Sequence, residues 1–242
     1  MTSVIQYQGR KARRAGSEQR RRAILEAALR IIIRDGVRSV RHRAVAREAD
    51  VPLSATTYYF KDITDLIADT FTLFAEQAMT EVIEPFRDQA FALMDQFDTR
   101  AGADEALLDG LAEMTGAYLL NQVRNKRDHL IAEQAFMHEA VLDERLRSLA
   151  EVYKQKQLDV LTVACERVGS RSPALDAELL YSVLSGIEQD MLAMPGRYSE
   201  ADVHARVAHV LGLLMQAAQP VEGATGHPAA GSHPTDGDSM PA

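Results

Sequence analysis

The segment from residue 40 to residue 61, VRHRAVAREADVPLSATTYYFK, constrains the fold of this chain more than any other stretch. Its pattern predicts two short helices, at about 43–49 and about 53–59, on either side of a tight turn. Asp50 stands at the joint, where a residue that tolerates positive φ is often needed, and Pro52 suits the start of a helix. Helices of about two turns are unstable alone in water, so the pair must pack on other helices. A short polar helix displayed in this way suits insertion into a groove, and the DNA major groove admits one α-helix.

Four segments follow one another around this pair, between about Ser17 and Phe74: RRAILEAALRIIIRDG, RAVAREADV, LSATTYYF and KDITDLI. In this order and spacing they resemble helix one, helix two, the recognition helix and the start of helix four of TetR-family transcriptional regulators. The resemblance covers about a quarter of the chain, and the rest matches only in architecture. The sequence departs from the family pattern at Arg41, where Thr or Ser usually caps helix two, and at Asp50, where the joint usually carries Gly.

The resemblance implies an all-α protein with an N-terminal three-helix helix-turn-helix DNA-binding domain and a C-terminal helical ligand-binding and dimerisation domain. We expect a flexible basic arm over 1–16, the DNA-binding domain over 17–62 and a connecting helix four over 63–84. The effector-binding and dimerisation domain then spans 85–218, with helices near 86–98, 103–124, 127–143, 145–168, 174–194 and 200–217. Residues 219–242 are rich in Pro and Gly, a composition typical of a disordered tail.

Charge is divided unequally along the chain. Residues 1–61 carry 14 Lys and Arg against 5 Asp and Glu, whereas residues 62–242 carry 13 against 30. The net charge of −8 therefore combines a basic head with an acidic body, which places any contact with a polyanion on the head. A basic surface by itself is more often merely solvated, and its coincidence with the helix-turn-helix pattern favours DNA.

The resemblance also transfers roles to individual residues. Arg43 matches a position that can reach a base, and an Arg there can pair with guanine O6 and N7. Four residues match groove-facing positions of the recognition helix, and five are candidates for phosphate contacts. The groove-facing set is Leu53, Ser54, Ala55 and Thr57, and the phosphate set is Arg41, His42, Tyr58, Tyr59 and Lys61.

Several of these residues have a structural alternative. Tyr59 and Phe60 also suit core positions between the three helices, Tyr58 suits either role, and His42 could simply be solvated. Arg10, Lys11, Arg13 and Arg14 of the arm could enter a minor groove, although unstructured tails often make no contact.

The helices after Pro85 are apolar with scattered polar groups, and in this family such helices enclose an effector pocket. Our candidate effector contacts are Met94, Met114, Tyr118, Glu133, Phe136, Met137 and Met191. Met or aromatic residues on a helical stripe are core more often than ligand contacts, so the sequence does not separate the two. The effector is an unidentified small molecule, and a regulator with a collapsed pocket is a further possibility.

Two apolar stripes at helical spacing on the last two helices suggest a four-helix interface across a two-fold axis. They comprise Leu180, Val183, Leu184, Ile187 and Met191 on one helix, and Val203, Val207, Val210 and Leu214 on the next. Packing inside the monomer is the alternative, and the resemblance favours a homodimer because the family dimerises through these helices.

The sequence gives little support for other classes of protein. The chain has no run of about 18 apolar residues, no apolar stretch typical of a secretion signal, and one cysteine, Cys165, which fits a reducing cytosol. We find no catalytic motif, no metal-binding spacing of histidines and no cofactor motif. We therefore expect a cytoplasmic, homodimeric transcriptional regulator. Its expected action is that of a repressor, which leaves a palindromic double-stranded DNA operator when an effector binds. The competing hypothesis is a helical small-molecule-binding protein or enzyme whose basic head is incidental.

Overall fold

The computed structural model describes residue 7, residues 15–97 and residues 104–216, and among these it contains only helices and turns. The all-α fold class predicted from the sequence is confirmed. The α-helices are α1 (Ala15–Asp35), α2 (His42–Glu48), α3 (Leu53–Tyr59), α4 (Ile63–Ala78), α5 (Glu84–Met94), α6 (Glu105–Asn125), α7 (Arg127–Ala140), α8 (Glu144–Arg167), α9 (Pro173–Ala193) and α10 (Glu200–Gln216). A 3₁₀ turn at Val37–Ser39 follows α1, and a π-helical segment at Met79–Ile83 joins α4 to α5.

Helices α1, α2 and α3 form the N-terminal bundle. The apolar face of α1 is buried, with Ile24 and Ile32 at most 1% exposed, and Phe60 is fully buried after α3. Gly36 ends α1 with a φ of 83°, and Asp50 adopts a φ of 51° at the joint between α2 and α3. Asp therefore occupies a left-handed position that usually favours Gly, a conformation that Asp and Asn tolerate better than most residues.

The ends of these helices differ in how they are capped. Asp62 caps α4, since its Oδ1 accepts the Asp65 backbone N–H at 2.7 Å. Arg41 precedes α2 and makes no side-chain capping bond, and its guanidinium instead donates to the Val40 carbonyl. Ser17 does not cap α1, because that helix already begins at Ala15; the Ser17 hydroxyl lies 2.8 Å from the Tyr59 hydroxyl instead.

Helix α4 runs into α5 without a loop. Pro85 lies in the first turn of α5 and has no backbone N–H to offer the preceding turn. The helix accommodates it upstream by widening, and the Glu84 N–H bonds to the Met79 carbonyl five residues back. The junction between α4 and α5 is therefore a π-helical segment, and the α-helical part of helix four ends at Ala78 rather than at the predicted residue 84.

One buried apolar cluster runs from the N-terminal bundle through α4 into α7 and α8. Phe71 of α4 stacks on Phe136 of α7 with ring centroids 4.5 Å apart, and Tyr153 of α8 packs on both Phe71 and Phe74. A second cluster joins α6 to α9 and α10. Helix α4 therefore packs against both the bundle and the body.

Helices α5 to α10 lie close to the predicted spans. Of the predicted basic arm only Tyr7 and the last residues before Ser17 are described, so Arg10, Lys11, Arg13 and Arg14 lie outside the described residues, as does the predicted tail over 219–242. In the part of the chain that the structure describes, no helix is long and apolar enough to cross a membrane.

Candidate DNA-binding surface and effector cavity

Helix α3 presents a sharply divided surface. Leu53, Ser54, Thr57 and Tyr58 are exposed on one side, with Leu53 40% and Tyr58 54% accessible, while Thr56 and Tyr59 are buried on the other. Exposed apolar side chains on so short a helix suit a surface that is covered when the protein binds its partner. Ala55 is partly buried against the core.

Buried and half-buried polar groups hold α3 in place. His42 Nδ1 of α2 lies 3.3 Å from the Thr56 hydroxyl, and that hydroxyl donates to the Leu53 carbonyl at 2.8 Å. The Tyr59 hydroxyl reaches Ser17 on α1 at 2.8 Å. Two residues that the sequence proposed for phosphate contacts, His42 and Tyr59, therefore lie at helix–helix contacts, and Tyr59 is only 5% exposed.

The cations on this side of the molecule differ in whether they are already paired. Arg30 and Arg34 of α1 both bind Glu48 of α2, at 3.0 and 3.2 Å. Among the described residues Arg41, Arg43 and Lys61 make no ion pair and are exposed. Their charge is therefore available to a phosphate backbone, and Arg43 is also long enough to reach a base edge.

The bundle is tied to α4 by a buried ion pair. Arg21 of α1 and Asp69 of α4 approach to 2.6 Å with side chains only 4% and 0% exposed. Tyr7 of the N-terminal arm covers this pair, since the Arg21 guanidinium lies 4.4 Å from its ring centre and its hydroxyl donates to Glu76 of α4 at 2.5 Å. Burial, together with Glu76, raises the pKa of the Tyr7 hydroxyl.

The body contains a cavity of about 90 Å³ between α5, α6, α8 and α9. Phe86, Phe91, Tyr118 and Tyr181 give it aromatic walls, and Glu188 contributes a carboxyl. An apolar cavity of about 60 Å³, with Met94, Met114 and Cys165 in its wall, adjoins it through Phe86 and Leu184. On the other side a more polar cleft of about 320 Å³ shares Phe86 and Tyr118 with the first cavity.

Two carboxyl groups lie in and beside the first cavity, whose wall also contains Arg87. Burial, reinforced by the nearby Glu133, raises the pKa of the Glu188 carboxyl to about 8. Burial also raises the pKa of Glu133, an effect opposed by the neighbouring Gln157 and Tyr153. Burial raises the pKa of the Tyr181 hydroxyl to about 12 and that of the Cys165 thiol to about 11, so both stay protonated at neutral pH.

The residues predicted to contact an effector are divided between cavity and core. Met94, Met114 and Tyr118 line the cavities, and Glu133 lies beside cavity residue Gln157. Phe136 and Met137 instead belong to the core around α4, and Met191 lies in the core between α6, α9 and α10. Sequence reasoning missed Phe86, Tyr181 and Glu188; an acidic residue within the apolar stripe of α9 was the only signal for Glu188.

The stripes predicted for dimerisation also need correction. Six of the nine residues are at most 8% exposed and pack inside the protomer: Leu180, Ile187, Met191, Val203, Val207 and Leu214. Leu184 lines both cavities, and Val210 is partly buried. Val183 remains on the surface at 37% exposure, beside Leu175 and Leu179 of the same helix and near the end of α10 with its exposed Leu213.

The described residues contain no group of three or more His, Cys, Asp and Glu side chains placed to hold a metal ion. No family model matches the sequence, and no curated protein is significantly similar to it.

Several solved structures resemble this chain over most of its length. A TetR-family member from Streptomyces coelicolor A3 is 26% identical, and the match covers 79% of this chain and 98% of that one with a TM-score of 0.59. The multidrug binding protein EbrR, solved with proflavin, is 26% identical over 79% of this chain and 99% of its own, with a TM-score of 0.53. A transcriptional regulator from Rhodococcus sp. Rha1 shares the fold at 17% identity, over 83% of this chain and 98% of its own, with a TM-score of 0.58. Because these likenesses span nearly the whole of each relative and coincide with the helix-turn-helix motif, the chain has the fold of TetR-family transcriptional regulators and resembles them over most of its length.

Proposed function

We propose that the protein is a homodimeric repressor that leaves a palindromic operator when a small molecule enters the cavity beside α5. The observation that carries the DNA-binding part is the exposed face of α3, flanked by the exposed cations Arg41, Arg43 and Lys61, which form no ion pair with any residue that the structure describes. In this proposal Arg43 reads a base, and Leu53, Ser54, Ala55 and Thr57 face the groove. Arg41, Tyr58 and Lys61 contact phosphates, while His42 and Tyr59 orient the helices that carry these residues.

Ligand control is supported by the path of α4. Its first residues follow the DNA-binding bundle, and Asp69 binds Arg21 of α1. Its π-helical continuation reaches the ligand side, where Ile83 lines the first cavity and Glu81 and Val82 line the polar cleft. A ligand that moves this end of the helix therefore acts on an element that is packed on the DNA-binding bundle. EbrR, which has the same fold, is a multidrug binding protein solved with proflavin.

Dimerisation is supported by the outward apolar stripe formed by Leu175, Leu179, Val183 and Leu213. Gly186 and Gly212 lie on the same two helices, and a Cβ atom added at either would meet nothing in the protomer. Small residues beside exposed leucines allow two helices to approach closely, as an interface between two copies of α9 and α10 requires.

The test is selection of binding sites from random double-stranded DNA, followed by gel shifts on the selected site over a range of salt. We expect an inverted repeat, and an affinity that falls steeply as salt rises because phosphate contacts release counterions. A helical small-molecule-binding protein or enzyme with an incidental basic head would select no site, and this result would overturn the proposal.

A further inference from the structure

Tyr7 contacts two helices of the molecule at once. Its ring covers the guanidinium of Arg21 on α1, which lies 4.4 Å from the ring centre. Its hydroxyl donates to Glu76 of α4 at 2.5 Å, across 69 positions of the chain. The ring also packs on the largest buried cluster. A cation–π contact, a hydrogen bond to a carboxylate and apolar packing therefore hold this one side chain at the junction of α1 and α4.

The Arg21 guanidinium lies at the centre of this junction. It binds Asp69 of α4 at 2.6 Å, and it lies 5.6 Å from the ring centre of Phe60, the residue that follows α3. Its Nε atom is buried and has no hydrogen-bond partner among the described residues. Contact with electron-rich ring faces therefore contributes to its stabilisation, and Tyr7 supplies one of the two faces. Through Arg21, Tyr7 acts on the end of α3.

The end of α3 rests on one face of α1. Tyr59, the last residue of α3, reaches the Ser17 hydroxyl at 2.8 Å, and Phe60 faces Arg21. Ser17 and Arg21 are four positions apart and so lie on the same side of α1. Because α3 has only seven residues, contacts of this kind set its direction more than its own hydrogen bonds do.

The hydroxyl of Tyr7 contacts a different part of the molecule. Glu76 is exposed and lies about two turns of α4 beyond Asp69, just before the π-helical segment Met79–Ile83. Residues of that segment line the first cavity and the polar cleft. A movement of this end of α4 changes the distance between Glu76 and Arg21. Because a tyrosine side chain is a rigid ring with few torsions, Tyr7 keeps both contacts only near the present spacing.

We propose that Tyr7 is a positioning residue for DNA recognition, which braces α1 against α4 in the arrangement that orients α3 and leaves its place when the cavity end of α4 moves. The proposal rests on the ligand-controlled function above. The braced arrangement is the one that binds the operator, because a fixed α3 loses less conformational freedom when it enters the groove. By linkage, operator DNA holds Tyr7 in place to the same extent that the placed side chain favours the operator.

The hydroxyl contact can be removed alone, because Tyr7→Phe keeps the ring on Arg21 and the apolar packing. We would combine Tyr7→Phe with Glu76→Ala in a double-mutant cycle. The affinity of each full-length variant is measured on fluorescently labelled operator, the inverted repeat selected above. The cycle subtracts the lost charge of Glu76, which acts on DNA with either residue at position 7. Thermal melts check that every variant is folded.

Tyr198→Phe is the matched control. Tyr198 also lies over an arginine, 4.2 Å from the guanidinium of Arg206, and donates to the Asp190 carboxylate at 2.6 Å. It does so at the turn between α9 and α10. Its effect on the melting temperature should be comparable because the same kind of hydrogen bond is lost, whereas operator affinity should stay unchanged.

A second readout follows the position of residue 7 directly. The chain contains no tryptophan, so Tyr7→Trp introduces a single fluorescent reporter that keeps a ring for Arg21 and an N–H donor for Glu76. Quenching by acrylamide should fall when the operator binds. Random DNA at low salt, which covers the same surface without the specific fit, should protect the reporter less. A side chain with a merely structural role would be quenched equally in the two complexes.

We expect Tyr7→Phe to weaken operator binding roughly two- to tenfold, the range that one hydrogen bond produces when it forms in only one of two arrangements. In the Glu76→Ala background the same substitution should have no further effect. An unchanged affinity in Tyr7→Phe, equal losses in both backgrounds, or a reporter with parental affinity that is indifferent to the operator would overturn the proposal. Operator binding by the parent would then leave the regulatory function standing, whereas a parent that binds no operator rejects that function itself.

Discussion

At the residue scale, Arg43 is the side chain whose removal should change sequence recognition most. It is exposed beside α3 and makes no ion pair among the described residues, so a base can use its whole guanidinium. We expect Arg43→Ala to weaken binding to the specific site by about 1–3 kcal/mol and to relax one base position. Gel shifts on the selected site and on random DNA measure this.

The control for this variant is Arg124→Ala, which removes an arginine of α6 that pairs with Glu200 on the surface of the body. It should leave DNA affinity unchanged. Equal losses for Arg43→Ala on specific and random DNA would show that Arg43 contacts phosphate and reads no base.

Asp69 should matter for stability. Its removal leaves the buried Arg21 guanidinium with only the exposed Glu18 carboxylate, at 3.6 Å, and breaking a buried pair from one side costs about 3–5 kcal/mol. We therefore expect Asp69→Ala to lower the free energy of unfolding by about that amount in urea denaturation.

Arg22→Ala is a matched control, since Arg22 is the next residue on α1 and forms an exposed pair with Glu26 at 3.0 Å. Its effect should stay within about 0.5 kcal/mol. If Asp69→Ala were as mild as Arg22→Ala, the buried pair would not be what holds α1 to α4.

Single residues also show what the sequence could and could not predict. Asp50 was identified because local backbone geometry depends on near neighbours, and it adopts the positive φ expected at the joint. Glu188 was missed because its significance comes from Glu133, on another helix 55 positions earlier in the chain. Long-range pairing of this kind leaves no local pattern.

At the scale of elements, the sequence predicted where helices run better than which way they face. The apolar stripes on α9 and α10 were identified, but their most regular members turn toward α6 and the cavities. Helical periodicity defines an apolar face without saying whether a neighbour in the same protomer or a partner covers it. The π-helical segment was also missed, because the sequence shows Pro85 but not where the helix widens to accommodate it.

The outward stripe on α9 yields a prediction for assembly. Val183→Glu places a charge in the proposed interface while its side chain, already 37% exposed, meets little inside the protomer. We expect this variant to sediment as a monomer, with a nearly unchanged melting temperature of the protomer. It should also lose affinity for the inverted repeat, because a monomer binds only one half-site at a time.

Val141→Glu is the control, since Val141 is 69% exposed at the turn after α7 and lies outside the proposed interface. It should remain dimeric. A dimeric Val183→Glu variant would place the interface elsewhere on the molecule.

At the scale of the whole molecule, the basic head and the acidic body are joined by one continuous core. Phe71 and Phe74 of α4 pack with Phe136 and Tyr153 of the body, while Asp69 of the same helix binds the bundle. Such a core moves as packed units rather than deforming gradually. A shift of α4 at the cavity end should therefore change the position of α3 and, in a dimer, the distance between the two recognition helices.

This geometry predicts coupling in both directions. A two-fold dimer fits its operator when the recognition helices lie about one DNA turn apart, roughly 34–36 Å. A ligand releases the DNA only if it binds the other arrangement more tightly, and the coupling free energy is then the same from either side. We expect the effector to lower operator affinity without dissociating the dimer, and operator DNA to lower effector affinity by the same factor. Titrations in both orders, with analytical ultracentrifugation of the protein with and without effector, measure this. A monomer that forms on effector binding, or an effector affinity indifferent to operator DNA, would show that α4 does not transmit the signal, while the DNA-binding function would stand.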